Sequence, residues 1–125
     1  YVLGGTSAVS DDVVAQLKSQ VTSNVVRING RDRFVVAEKV ADLHDTTNGA
    51  TVAYGLDWPD ALAGSAFAGV MRDKLLLLKS DGVPQATQRA MHKHGLVYLD
   101  ALGGTTSLPE SVLTALRSMD VAVAE

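Results

Sequence analysis

Short apolar runs alternate with helix-patterned stretches along the whole chain, and that alternation leaves few folds open. Strands are expected at Tyr1–Leu3, Val25–Asn29, Thr51–Gly55, Leu75–Leu78 and Leu96–Leu102, with a short one near Val121–Ala124. These runs are β-branched or leucine-rich, and several are apolar at successive positions. A strand that is apolar on both faces needs cover on both, which a parallel sheet between two helix layers provides. Helices are expected between the strands. Ser10 precedes Asp11-Asp12-Val13, a cap followed by acids in the first turn. Phe34, Ala37 and Ala41 share one helical face, and Val36, Val40 and Leu43 another. Asp57-Trp58-Pro59-Asp60 reads as a cap with proline in the first turn. Pro84 opens a helix that Gly95 closes, and a last helix runs from near Pro109 to about Ser118. Strand and helix in strict alternation, with short links, imply a doubly wound α/β fold.

One helix departs from the amphipathic norm. Ala61 to Val70 is apolar nearly all round, and such helices are normally buried. Core packing accounts for it; the alternative is that one face packs on a neighbouring module.

With 125 residues the chain fits one domain and can bury roughly 65% of its unfolded surface. Apolar residues at 46% and charged residues at 20% give a globular composition. The net charge of −3 lacks the basic excess of a nucleic-acid binder. No cysteine is present, which excludes disulfides and thiolate metal sites. No run reaches the roughly 18 apolar residues of a membrane span, so no membrane insertion is expected. No signal peptide is visible, and the opening in mid-strand suggests a fragment or a mature portion.

The chain also repeats itself. Leu3–Leu17 and Leu102–Leu116 align at an offset of 99 residues. Identical pairs are Leu3/Leu102, Gly4/Gly103, Gly5/Gly104, Thr6/Thr105, Val13/Val112 and Leu17/Leu116; Asp11/Glu110 and Val9/Leu108 are chemically alike. The simplest account is one unit of about 99 residues, 3–101, followed by the start of a second copy, 102–125, within a single domain 1–125.

Four segments then fall into order: Leu3-Gly4-Gly5-Thr6 with Val9-Ser10, Arg27-Ile28-Asn29-Gly30-Arg31-Asp32-Arg33-Phe34, Pro59-Asp60-Ala61-Leu62-Ala63-Gly64, and Leu75-Leu76-Leu77. Together they resemble the cell wall-binding repeat 2 family of bacterial surface proteins, over essentially the whole chain. The resemblance implies a Rossmann-like three-layer module with a mainly parallel sheet flanked by helices. It implies three modules packed about a pseudo-threefold axis, as a homotrimer or with sister repeats of one chain. It also implies non-covalent attachment to an anionic wall polysaccharide or teichoic-acid-like polymer, at the cell wall or cell surface, with any catalysis in another domain. The family's glycine–aspartate–arginine–aromatic motif falls on Gly30, Asp32, Arg33 and Phe34. Its segment tied to wall binding falls on Lys74, Leu75, Leu76 and Leu77, where Lys74 replaces a proline and Leu75 an isoleucine. Trp58 stands where phenylalanine or tyrosine is usual.

Parallel sheets bind ligands outside the carboxyl ends of their strands. The turns there carry glycines, hydroxyls and cations, and helix N-termini point N–H groups outward, which favours anions. The expected polymer-binding residues are Thr6, Arg31, Asp32, Arg33, Trp58, Lys74, Leu75, Leu76, Leu77 and Lys79. Gly4, Gly5, Gly30, Pro59, Asp60, Gly103 and Gly104 are expected to shape the turns. Arg31 and Arg33 can each grip phosphate or carboxylate in bidentate fashion; Arg33 is expected to pair instead with Asp60 or Asp32, leaving Arg31 freer. Asp60 is expected to cap its helix, and Trp58 offers either a sugar platform or a core side chain. Gly4-Gly5-Thr6 lacks the rest of a P-loop or dinucleotide pattern. His92 and His94 do not share a helical face and His44 is distant in sequence, so no zinc site is expected. No cofactor is expected. The other readings are a small Rossmann-like hydrolase or transferase and a purely structural oligomerisation module.

Overall fold

The computed structural model describes residues 1–43 and 47–125; His44 lies outside them. In chain order the described residues form β1 (Val2–Leu3), α1 (Asp11–Gln20), β2 (Arg27–Ile28), α2 (Arg33–Ala41), β3 (Gly49–Tyr54), α3 (Trp58–Met71), β4 (Lys74–Leu78), α4 (Gln85–Lys93), β5 (Tyr98–Leu102), α5 (Glu110–Arg117) and β6 (Ala122–Ala124). The fold is the expected α/β module, and each expected strand is present with ends moved by a residue or two.

Among the described residues these strands pair in parallel, but the pairing is divided between two sheets. The main sheet runs β4-β3-β5-β6, while β1 pairs only with β2. The alternation of elements cannot reveal this division, because the pattern of a strand does not name its partner. β3 is central and continuously buried from Ala50 to Ala53. Its register sets Thr51 opposite Leu75 on β4 and opposite Asp100 on β5.

Helices α2, α4 and α5 cover one face. Ala41, Ala90, Met91, Val112, Leu113 and Leu116 join Val52, Leu76, Leu78 and Leu99 in one apolar core. Helix α3 covers the other face, where the Gly64 α-carbon sits over Leu102, Leu75 and Thr51. These three layers are set by local chemistry. Ser10 accepts from the Val13 amide at 3.3 Å, Asp32 from Val35 at 2.9 Å and Asp57 from Trp58 at 2.8 Å, each satisfying an amide that a helix start leaves unpaired. Helices α4 and α5 begin after Pro84 and Pro109 without a side-chain cap bond.

The apolar helix α3 is not buried all round. Only Gly64 and Ala68 are buried, while Leu62 is 71% and Val70 83% exposed. Small residues face the sheet because they let the helix lie close to it. The larger apolar side chains are thereby turned outward.

Candidate functional site

Segment 30–34 joins the turn after β2 to the turns of the main sheet. Gly30 is needed for a close approach: a Cβ there would lie 2.8 Å from Val35 Cβ and 3.1 Å from the Val36 amide nitrogen. Asp32 caps α2 and also faces Arg31, whose Nε lies 3.4 Å from Asp32 Oδ2. Arg33 donates from Nη1 to the Gly55 carbonyl at 2.7 Å, and its guanidinium lies 5.4 Å from the centre of the Trp58 ring. The expected pairing of Arg33 with Asp60 or Asp32 is thus replaced by a bond to main chain and an aromatic contact. Phe34 is buried under the Gly55 turn, with Lys79 Nζ 5.5 Å from its ring centre. Lys39 donates to the Asn29 carbonyl at 2.6 Å.

Four cations therefore lie about the carboxyl ends of β2, β3 and β4: Arg31, Arg33, Lys39 and Lys79. Arg31 is open, its side chain 73% exposed. Arg33 and Lys79 lie against aromatic rings, and the Trp58 ring is itself largely exposed. Carboxylates stand beside them: Asp32 and Asp57 are engaged as helix caps, and Asp81 lies in the turn after β4. The edge carries charges of both signs.

Asp60 does not make the cap bond of α3, which Asp57 supplies. The Asp60 carboxylate instead abuts Gly103, where a Cβ would lie 3.0 Å from Oδ2. Gly103 has φ +148° and Gly4 φ +113°, so both copies of the Gly-Gly-Thr turn use a backbone shape that side chains rarely adopt. Gly5 and Gly104 have open space around the Cβ position, and Thr6 is exposed at its turn.

The segment Lys74–Leu77 is placed differently from expectation. Lys74 is 3% exposed and donates from Nζ to the Thr47 carbonyl at 3.1 Å. Leu76 is fully buried, and Leu75 and Leu77 are half-buried on the α3 side. The segment is the edge strand of the main sheet, paired with β3, and its Lys74 and Leu76 side chains are enclosed, with no open face to offer a polymer.

Arg27 has a role that the sequence reading missed. It donates to the Gly4 carbonyl at 2.9 Å and pairs with Asp11 at 3.1 Å, locking the first Gly-Gly-Thr turn to the start of α1. A cation in the middle of an otherwise apolar run, Val25 to Ile28, was the available signal.

A groove of about 460 Å³ on the outer sides of α2 and α4 is lined by Glu38, Gln88, Arg89, His92 and Lys93. Arg89 is held there by a two-pronged bond to Glu38, at 2.8 and 2.6 Å. Next to it, Asp42 takes Lys93 at 2.8 Å and His94 at 3.0 Å. Burial works to raise the Asp42 carboxyl, but the bonds from Lys93 and His94 outweigh it and hold the group below its ordinary 3.8. A carboxyl depressed in the folded state adds stability above its unfolded value, and that increment disappears as pH falls through the folded value. Asp42→Asn should therefore lower Tm near pH 6 by the equivalent of about 0.5 kcal/mol, with the difference from the parent vanishing as pH falls through the lowered value of the folded carboxyl. Thermal scans between pH 2 and 6 check this. Among the described residues no group of three histidine, aspartate or glutamate side chains is placed to hold a metal ion.

The family profile of cell wall binding domain 2, CWB2, matches residues 27–113. The chain belongs to the CWB2 family. This CWB2 chain is 28% identical over 116 residues to the amidase enhancer of Bacillus subtilis (strain 168), covering 92% of the chain and 16% of that protein. It is 30% identical over 117 residues to the N-acetylmuramoyl-L-alanine amidase LytC of the same organism, covering 94% of the chain and 23% of the amidase. Among solved structures the CWB2 fold is shared with Cwp6 from Clostridium difficile, at TM-score 0.82, 31% identity and coverage of 94% of the chain and 19% of Cwp6. Cwp8 from Clostridium difficile matches at TM-score 0.77 and 26% identity, with 96% and 20% covered. The CWB2 chain thus spans less than a quarter of each of these proteins.

Proposed function

We propose that this CWB2 unit is a non-catalytic anchor that holds an anionic cell-wall polymer at the carboxyl ends of its strands, outside the cell. The observation that carries the reading is the exposed Arg31, standing with Arg33, Lys79 and the open Trp58 ring on one edge, in a chain whose family is one of cell wall binding domains. Arg31 supplies a fork of donors for phosphate or carboxylate. Arg33 and Lys79 add positive potential from fixed positions, and Trp58 offers a surface for sugar. Thr6, on the separate β1–β2 sheet, is a secondary contact. Catalysis in a parent protein, such as that named for the LytC relative, then belongs to chain outside this unit.

Arg31→Ala is expected to weaken sedimentation with purified cell walls about three- to tenfold at low salt, as loss of one charge-assisted contact would, and to flatten the salt dependence. Tm should stay within about 2 °C, because an exposed charge seldom contributes more than about 0.5 kcal/mol. Binding unchanged in this variant would remove Arg31 from the site.

Assembly in threes is part of the same proposal. The outward face of α3 sets Leu62 and Val70 in water, and apolar surface of this kind is typically covered by another protein surface. Sedimentation of the isolated chain should give a trimer that Leu62→Lys dissociates. A clean monomer at high concentration would overturn the threefold packing while leaving polymer binding open.

A further inference from the structure

The two copies of the repeated segment have the same sequence pattern and opposite surroundings. In the second copy, β5 lies between β3 and β6, and α5 buries Val112, Leu113 and Leu116 against the core. In the first copy, β1 has β2 on one side and no strand on the other. Helix α1 buries nothing. Val13, the counterpart of Val112, is 44% exposed where Val112 is 2% exposed. Leu17, the counterpart of the fully buried Leu116, is only half-buried, and Leu3 and Val26 stand open nearby.

A strand with a bare edge and a helix with a bare apolar face make an incomplete layer. What completes such a layer is visible in the same chain. The second copy docks on the β3 edge and beneath Ala90, Met91 and Leu96. Here that socket is taken by residues 98–125, of which Ala101–Leu102 correspond to β1 and Glu110–Arg117 to α1. We infer that residues 1–28 are a closing segment for a second copy of this unit: β1 continues that copy's last strand along its β3 edge, as Ala101–Leu102 do here, and Val13, Val14 and Leu17 enter the cover that α5 fills here. The occupant is a second copy, not an unrelated protein, because the apolar positions of α1 match those of α5 one for one and α5 shows the surface they fit. Each sheet is then finished by the strand–turn–helix of the following unit. The structural joint between units lies between β2 and β3, not at the ends of the 99-residue sequence repeat.

The chain contains no cysteine, which permits a direct test. Two units are joined in series in the register of the repeat, residues 1–101 followed by 3–125, and Val13→Cys is placed in either the first or the second unit. The expected result is free reaction with a thiol reagent in the first unit and reaction about 100-fold slower in the second, where the helix is covered. Equal rates at the two positions would overturn the inference. As a second measurement, Leu102–Glu125 of the single chain is replaced by a further copy of Leu3–Arg27. This chain should unfold cooperatively, and Leu17→Ala should lower its Tm only when placed in the grafted copy. A grafted chain that does not fold, or that is indifferent to Leu17→Ala in both places, would equally overturn it. Neither measurement involves polymer binding, so the outcome is separate from that of the proposed function.

Discussion

Leu76→Ala is expected to destabilise the protein by about 3–4 kcal/mol, the cost of emptying a fully buried leucine site that cannot collapse. Leu76 is completely enclosed on β4, and its neighbours Val52, Leu78, Ala90 and Met91 belong to the same core. Such a loss corresponds to a fall in Tm of roughly 10–15 °C for a domain of this size. Urea unfolding checks it: the midpoint should drop while the slope stays unchanged. The result also separates packing from recognition within the Lys74–Leu77 segment. Well below the midpoint, the folded Leu76→Ala protein should bind cell walls as the parent does. Weakened binding by protein shown to be folded would return Leu76 to the site.

Gly30→Ala is expected to cost about 2–3 kcal/mol, in the range of forced overpacking. The new methyl meets Val35 Cβ at 2.8 Å and the Val36 nitrogen at 3.1 Å. Both atoms are fixed to the helix backbone, so neither can swing aside as the end of a long side chain would. The start of α2 has to move, and with it the Asp32 cap and the Arg33 bond to Gly55. Wall binding should therefore fall together with stability, unlike the effect of Arg31→Ala. A change below about 0.5 kcal/mol would show that the turn yields without strain.

Much of the fold was legible because its signals are local. Ser10 and Asp57 announce helix starts by offering an oxygen to a nearby amide, and the prolines at 84 and 109 do so by fixing the backbone. The apolar runs marked the strands for the same reason. The division into two sheets was not legible, since a two-residue strand such as β1 carries no information about which edge it joins. The site was legible as a location and less so as a set of contacts. Arg33 binds a carbonyl, and Lys74 sends its nitrogen to another. Main-chain oxygens are present at every position, so no residue type advertises such partners in advance. Helix α3 misled for a related reason: an apolar composition shows that a helix avoids water, not which side the sheet will take.

The parallel topology has a kinetic consequence. β3 must find β4, with Ala50 opposite Lys74, and also β5, with Gly49 opposite Tyr98, across about twice as much chain. Each doubling of a closing loop adds only about 0.6 kcal/mol, yet that is enough to favour β3–β4 as the earlier pairing. β5, α5 and β6 then join late. Interactions formed after the transition state govern the rate of leaving the native state more than the rate of reaching it. Substitutions at Leu113 and Leu116 are accordingly expected to act mainly on the lifetime of the folded unit, and substitutions at Val52 and Leu76 on its speed of formation.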